Sequence, residues 1–490
     1  MKNFLPSFRQ DFSASIVVFF VALPLCLGIA LASGAPLFSG IIAGIVGGVV
    51  VGFFSGSSLG VSGPAAGLAV LVFGYITALG GSFEAFLLAV VLAGVIQLIA
   101  GFLRMGTVAY YFPSSVIRGM LSGIGLLIII KQIPYALGMA KVENFELSQI
   151  LTYLSPNVVI IALVSILILI LWEEFSVKKH KFLKAIPGPL VAVFVGIALG
   201  KFIDLEIDHL VQIPVSSGIN EFFGNFSSPD FTQLSNPQIY IIALVMAVVA
   251  SLETLLCVEA TDKMDPQKRI TPANKELKAQ GIGNIVSGLV GGLPITQVVV
   301  RSSANIEFGA KSRASTIFHG LFLLVSAISI PSFLNMIPLA TLACVLIVVG
   351  YKLAKPQIFK KVYSEGYEQF APFIATILGM LIFDLLKGVG IGMIVAIAFI
   401  LYHNFQNACS QIKESDGLNA HKIVLSEEVS FLNKGKILQI LNDTPPNSIL
   451  VIDGTKSKVV HHDVIEIISD FRIAAKSKNI SLQIKGIKLN

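Results

Sequence analysis

Two long apolar stretches of this chain are broken by small residues and a proline, at matching places in its two halves. The first break reads Leu59-Gly-Val-Ser-Gly-Pro-Ala-Ala-Gly67 and the second Gly291-Gly-Leu-Pro-Ile-Thr-Gln-Val-Val-Val-Arg301. A helix that simply crosses a bilayer needs no such interruption, because its backbone hydrogen bonds are all internal. Irregular backbone at membrane depth is tolerated only where it is buried in protein or lines a cavity. A pair of such breaks in corresponding positions of two halves points to a ligand site between them.

The membrane setting follows from composition. Of 490 residues, 54% are hydrophobic and 13% charged, far more apolar than a soluble domain. The apolar runs predict fourteen membrane segments: 12–32, 37–55, 64–78, 83–103, 114–133, 157–173 and 187–203, then 237–258, 279–292, 297–309, 313–331, 335–350, 369–385 and 387–405. The runs at 64–78 and 297–309 are too short to cross about 30 Å of hydrocarbon alone, so each is expected to begin inside the membrane. With an odd number of segments per half, the second half enters from the opposite side, which makes the halves an inverted repeat. The first run carries Pro24, lacks an Ala-x-Ala cleavage site and is followed at once by a second span. It is therefore expected to be retained rather than removed as a leader.

Loop charge predicts the orientation. Lys178, Lys179, Lys181 and Lys184 share one side with Lys263, Lys268, Arg269, Lys275 and Lys278, and with Lys352, Lys355, Lys360 and Lys361. The opposite side carries Asp204, Glu206, Asp208, Glu221 and Asp230. Basic loops stay in the cytoplasm, which predicts that both termini do too, and Arg104 and Arg118 read as anchors of the same kind. The net charge of +6 reflects these loops and gives no sign of a nucleic-acid partner. Cys26, Cys257 and Cys344 lie in apolar runs and Cys409 follows the last, a pattern of small buried hydrophobes rather than of metal ligands or disulfides.

After His403 the chain changes character. Residues 1–410 read as the membrane domain and 411–490 as a small cytoplasmic α/β domain. Strands are predicted at Lys422–Ser426, Ser448–Asp453 and Ser481–Lys485, and helices at Asn433–Asn442 and Asp463–Ser477. A unit of roughly 70 residues is near the lower limit for an independent core and is expected to lean on another surface. His461-His462-Asp463 lacks further ligands for a metal, so Asp463 is expected to cap the second helix.

The chemistry is expected at the breaks. A helix N-terminus leaves N–H groups unsatisfied and carries partial positive charge, so two opposed ends form an anion site without a buried lysine. Gly63 and Gly67 allow backbones to approach, Pro64 suits a first helical turn, Ser62 and Thr296 offer hydroxyls, and Gln297 an amide. Arg301, a few residues into an apolar stretch, adds positive field. Glu253, flanked by Ser251 and Thr254 in another apolar run, can accept a proton, coordinate Na⁺ or neutralise Arg301. Glu259 and Asp262 are expected at the cytoplasmic end of that helix, and Asp384 with Lys387 at a turn between the last two spans.

Several motifs occur in an order that identifies a family. They are Asp11-Phe12 leading into Val21-Ala-Leu-Pro24, then Ser62-Gly-Pro64, Ser251-Leu-Glu253, Asn274-Lys-Glu-Leu277, Gln280-Gly-Ile-Gly-Asn284, Gly288-x-x-Gly-Gly-x-Pro294 and Arg301-Ser-x-Ala-Asn305. With them the chain resembles the sulfate permease (SulP, or solute carrier 26) family of anion transporters, and the tail resembles the STAS domain such proteins carry. The resemblance implies an all-α polytopic membrane protein of seven-plus-seven inverted repeats, divided into core and gate domains. It implies an anion held between the third and tenth spans, elevator-like movement of the core and a homodimer. The family's site residues map onto Ser62, Glu253, Cys257, Thr296, Gln297, Val298, Val299 and Arg301. Members that couple bicarbonate to Na⁺ carry Asp and Thr where this chain has Glu253 and Cys257. Sulfur is a poor ligand for a hard cation, so Na⁺ coupling is disfavoured, and a Glu here resembles the proton-coupled or uncoupled members. Asp463-Val464 stands where signalling STAS proteins place a phosphorylatable serine, so no phospho-switch is expected there.

The expectation is a non-enzymatic inner-membrane carrier of a small inorganic anion, bicarbonate or sulfate, with no cofactor beyond a coupling H⁺ or Na⁺. Three alternatives stand beside it: a nucleobase carrier of the same fold, an anion channel, and a membrane-anchored STAS scaffold.

Overall fold

The computed structural model describes residues 4–107, 112–139, 154–172, 186–215, 219–383, 385–406, 409–413 and 420–487. The lysines at 178–184, which bear on orientation, and Asp384, expected at a turn, lie outside the described residues.

A helix stands at each of the predicted segments. These are α1 (Phe4–Ala32), α2 (Leu37–Val46), α3 (Ala66–Ala78), α4 (Phe83–Phe102), α5 (Ser114–Ala136), α6 (Pro156–Leu171), α7 (Gly188–Phe202), α8 (Pro237–Met264), α9 (Ala273–Leu289), α10 (Val299–Glu307), α11 (Ala314–Ser329), α12 (Leu339–Leu353), α13 (Tyr367–Ile382) and α14 (Leu385–Gln406). Among the described residues seven stretches are long and apolar enough to cross a bilayer, the first at Phe8–Ala32 and the last at Lys387–Gln406. α3, of 13 residues, extends only about 20 Å at the helical rise. α10, of 9 residues, is shorter still.

Two elements depart from an all-helical reading. Ser62–Pro64 (β1) and Ile295–Gln297 (β2), the centres of the two sequence breaks, are extended and pair antiparallel. α2 continues through a π-helical turn at Gly47–Val51 into Gly52–Phe54. That turn lies against β1, since a Cβ on Gly47 would sit 2.5 Å from the Ser62 carbonyl oxygen.

Where helices cross, glycine sets the distance. A Cβ on Gly94 of α4 would fall 2.6 Å from the backbone nitrogen of Ile285 in α9, and one on Gly281 of α9 would fall 2.7 Å from that of Leu98. The same holds between α5 and α12, where a Cβ on Gly125 would lie 2.5 Å from the Gly350 carbonyl oxygen. In lipid there is no hydrophobic drive between helices, so close backbone packing of this kind carries association. Near the start of α5, Arg118 pairs with Glu365 at 2.6 Å. The pair is about a third exposed on each side and adds little stability.

Backbone contacts divide the chain into two compact units, Met1–Glu365 with Phe373–Gly390, and Gly366–Pro372 with Ile391–Asn490. The second unit thus takes in the first turn of α13 and most of α14, from Ile391 onward. In this unit a four-stranded sheet runs β3 (Cys409–Lys413), β4 (Ala420–Leu425), β6 (Ile449–Asp453), β8 (Ser481–Lys485). β3 pairs antiparallel to β4, and β4, β6 and β8 are parallel. Parallel neighbours need crossover connections, supplied by α15 (Lys434–Asn442) and α16 (His462–Ser477). A minor sheet joins β5 (Glu428–Val429) to β7 (Val459–Val460). Ile423, Leu450, Ile452, Val464, Ile468 and Phe471 meet in the core. The cap of α16 is His461, whose side chain accepts from the Asp463 backbone N–H at 3.3 Å, and not Asp463 as the sequence suggested. His461 has the extended backbone an N-cap requires, with φ −65° and ψ 146°, while Asp463 is already inside the first turn.

Gly281→Val should lower the melting temperature of the detergent-solubilised protein by several degrees, because overpacking costs about 1–3 kcal/mol. In α3, a Cβ added at Gly74 would meet nothing within 4 Å, and Gly74→Ala should leave that temperature unchanged or raise it. A thermal-shift series on the two variants checks the contrast.

Candidate functional site

The β1–β2 ribbon is the centre of the site. Gly63 precedes Pro64 and Leu293 precedes Pro294, and a residue before proline is driven out of the helical region. Both runs are therefore extended just before a helix starts. The register pairs Ser62 with Gln297, Gly63 with Thr296 and Pro64 with Ile295, and the Val298 N–H donates to the Val61 carbonyl at 2.9 Å. From this ribbon α3 starts after Ala65 and α10 after Val298. Neither start has a side-chain cap. The first N–H groups of both helices thus keep their partial positive charge for whatever lies before them.

A polar ladder on α9 holds the ribbon in place. Glu276, Gln280, Asn284 and Ser287 lie on one face at helical spacing, and all four are buried. Glu276 accepts from the Ser55 hydroxyl at 2.6 Å and from the Gly56 N–H at 2.9 Å. Gln280 Nε2 donates to Glu276 Oε1 at 3.0 Å and to Ser62 Oγ at 2.7 Å. Asn284 accepts from the Ile295 N–H at 2.6 Å, and its Nδ2 donates to the Ile295 carbonyl at 3.1 Å and to Gln97 Oε1 at 2.7 Å. The Ser287 hydroxyl donates to the Leu293 carbonyl at 2.7 Å. From α10, Ser302 Oγ accepts from the Val61 N–H at 3.0 Å and Asn305 Nδ2 donates to the Leu59 carbonyl at 2.9 Å. Thr316 of α11 donates to the Gly60 carbonyl at 3.1 Å. Buried irregular backbone needs such partners, and here side chains supply them.

The candidate residues divide between the two faces of the ribbon. Alternation puts Ser62 and Gln297 on one face and Gly63 and Thr296 on the other. On the first face Ser62 meets Gln280. The Gln297 amide donates from Nε2 to Thr261 Oγ1 at 2.9 Å, and the Gln297 N–H faces Thr254 Oγ1 at 3.3 Å. On the second face lies Arg301, completely buried. A Cβ on Gly63 would sit 2.1 Å from its Nη1, so glycine is required for the guanidinium to lie there. Arg301 Nη2 donates to Cys26 Sγ at 3.3 Å, while Nε and Nη1 have no partner among the described residues.

Glu253 is elsewhere. A Cβ on Gly67 would fall 2.7 Å from its Oε1, so its carboxyl group lies against the first turn of α3. Its Oε2 has no hydrogen-bond partner. Among the described residues no carboxylate lies within 4.0 Å of the Arg301 guanidinium. Neutralisation of Arg301 by Glu253, one of the options open in the sequence, is not realised; each side chain is held at a different part of the ribbon and its helices. Cys257, one turn beyond Glu253 on α8, faces the Val299 backbone. Val299 itself is 36% exposed, which leaves the first turn of α10 accessible. Glu259 pairs with Lys263 at 2.5 Å, and Asp262 accepts from Thr271, so both lie in the last turns of α8.

Two features were missed from the sequence. One is the α9 ladder, which carried only a family motif and no role. Its signal was four polar residues in register on one helix face. The other is His319 of α11. Its Nδ1 lies 3.0 Å from the Thr316 carbonyl, which can only accept, so Nδ1 carries the hydrogen and Nε2 is left without a partner. A lone histidine in an apolar helix gives no sequence signal of what it will meet.

The family model described as "Sulfate permease family" matches residues 8–376, a stretch that includes the ribbon, the α9 ladder, Glu253 and Arg301. YvdB of Bacillus subtilis is 29% identical over 410 residues, 81% of this chain and 74% of that protein. The bicarbonate transporter BicA of Picosynechococcus is 29% identical over 404 residues, 79% of this chain and 69% of that one. The solved structure of murine Solute Carrier 26 family member A9, an anion transporter in its inward-facing state, superposes with a TM-score of 0.80 at 18% identity. That superposition covers 99% of this chain and 87% of the murine one, and it shows that the two share a fold. With a family match that runs through the interrupted helices and the side chains that hold them, the chain belongs to the sulfate permease family of integral membrane proteins.

Proposed function

We propose that this protein is a secondary carrier of a small inorganic oxyanion, bicarbonate or sulfate, bound where α3 and α10 leave the ribbon. The observation that carries the reading is Arg301: a wholly buried guanidinium with two unpartnered nitrogens and, among the described residues, no carboxylate within 4.0 Å. An uncompensated buried charge costs several kcal/mol, and a bound anion is the partner that offsets it. Two uncapped helix starts add field of the same sign. The family membership and the relative named as a bicarbonate transporter support the substrate class. A nucleobase carrier has less use for a lone buried cation, and a channel less use for a half-helix pair tied together by a ribbon.

Site roles follow from this reading. The N–H groups that follow Val299 in the first turn of α10, with Gly63 and Thr296, form the polar surroundings of the anion on the face where Arg301 supplies charge, and the Ser62 hydroxyl, paired with Gln297 at the ribbon end where α10 begins, reaches it from the other face. Gln297 and Val298 keep the ribbon in register. Glu253, beside the start of α3 with one oxygen unpartnered, takes and releases the coupling proton. Its neighbour Cys257 offers sulfur, which suits Na⁺ poorly. The antiparallel ribbon sends α3 and α10 away in opposite directions, which supports a fourteen-span, seven-plus-seven inverted repeat moving its core as an elevator. The parallel sheet and helices of the tail support a STAS-like domain. The inner membrane, cytoplasmic termini and a homodimer complete the proposal.

Arg301→Gln should reduce anion uptake into proteoliposomes at least tenfold, as expected for loss of a charged hydrogen bond, with normal yield and melting temperature. Uptake at the wild-type rate would remove Arg301 from the site. Glu253→Gln should flatten the pH dependence of uptake while leaving anion affinity within about threefold, less than one hydrogen bond to a charged group contributes. A wild-type pH profile in that variant would exclude proton coupling through Glu253.

A further inference from the structure

The α9 ladder does more than hold backbone: it fixes which way one hydroxyl donates. We propose that Glu276 and Gln280 are positioning residues that keep the Ser62 hydroxyl hydrogen free for the transported anion. The inference rests on the anion-site reading above and extends it to two residues that reading does not use.

The chain of hydrogen bonds has a fixed polarity. Glu276 takes the Ser55 hydroxyl and the Gly56 N–H on Oε2 and the Gln280 amide on Oε1. A carboxylate in this setting only accepts, so it turns the NH₂ end of Gln280 toward itself. The second hydrogen of that NH₂ goes to Ser62 Oγ at 2.7 Å. The Ser62 oxygen is therefore an acceptor toward α9, and its own hydrogen cannot point back along the same bond. Among the described residues Ser62 Oγ donates no hydrogen bond of its own. Gln280 Oε1, the acceptor that would capture it if the amide were reversed, is itself buried without a partner. A buried carboxylate thus sets a one-way chain, from Ser62 as donor to the anion, with a neutral amide keeping the Glu276 charge one residue away.

The isosteric change Glu276→Gln tests the polarity. In that variant the new amide presents its carbonyl oxygen to Ser55 and Gly56 and its NH₂ to Gln280. Gln280 then turns its Oε1 toward both that NH₂ and Ser62, and the serine hydrogen is drawn to it. The KM for radiolabelled sulfate or bicarbonate, whichever the wild-type protein takes up in proteoliposomes, should rise roughly tenfold, the effect of one hydrogen bond to a charged ligand. Ser62→Ala should raise KM similarly, and adding Glu276→Gln to Ser62→Ala should change it less than about twofold, as expected when two residues act through one contact. A merely structural Glu276 would weaken uptake equally with and without the serine, and that result overturns the proposal. If Glu276→Gln does not fold, Gln280→Met, which leaves the Ser55 and Gly56 contacts to Glu276 intact, replaces it in the same cycle. Its KM shift must likewise disappear in the Ser62→Ala background. If Ser62→Ala alone leaves KM unchanged, the anion-site role of Ser62 falls and the relay with it. If Ser62→Ala weakens uptake and Glu276→Gln does not, the relay alone falls.

Discussion

A membrane interior offers no water to backbone amides, and the form of this protein follows from that constraint. Two helices are interrupted, and each interruption releases N–H and C=O groups that must find partners within the protein. Pairing the two extended segments satisfies part of the need. The α9 ladder, with Ser302, Asn305 and Thr316, satisfies much of the rest. The glycines that bring α4, α9 and α2 close are there so that these side chains reach. Among the described residues, what stays unsatisfied near the ribbon includes Arg301 Nε and Nη1 and Glu253 Oε2, beside the starts of α10 and α3.

Much of this was legible in the sequence because apolar runs long enough for a membrane leave few alternatives. The helix positions and the two breaks follow from hydropathy and from proline. The ribbon does not, since three residues are too few for any periodicity to show. α9 begins at Ala273, six residues before its predicted start, because Asn274, Lys275, Glu276 and Lys278 read as a polar loop. Glu276 and Gln280 face inward, reversing the usual relation between polarity and exposure, and only the demand of irregular backbone explains it. The same is true of the His461 cap, which depends on a side-chain angle that residue type does not determine. Arg301 and Glu253 were identifiable as intramembrane charges, but their separation was not, since their meeting depends on how α8 and α10 cross.

That separation has chemical meaning. Had the two charges met, the interior would be neutral and a passing anion would have to break an ion pair to enter. Held apart in the proposed carrier, Arg301 would keep a standing demand for negative charge, and Glu253 would change protonation without first losing a partner. Gly63 and Gly67 are what permit it: each leaves the room that one charged group fills.

The ribbon also limits how the protein can move. A mechanism that spread the tips of α3 and α10 like tweezers would tear the paired strands and the Val298–Val61 bond, stranding amides in a dry interior. The two half-helices are in effect one rigid cradle whose jaws cannot part. In the proposed carrier, whatever exposes the cargo to one side and then the other would have to do so by shifting the walls around that cradle, or the cradle past its walls.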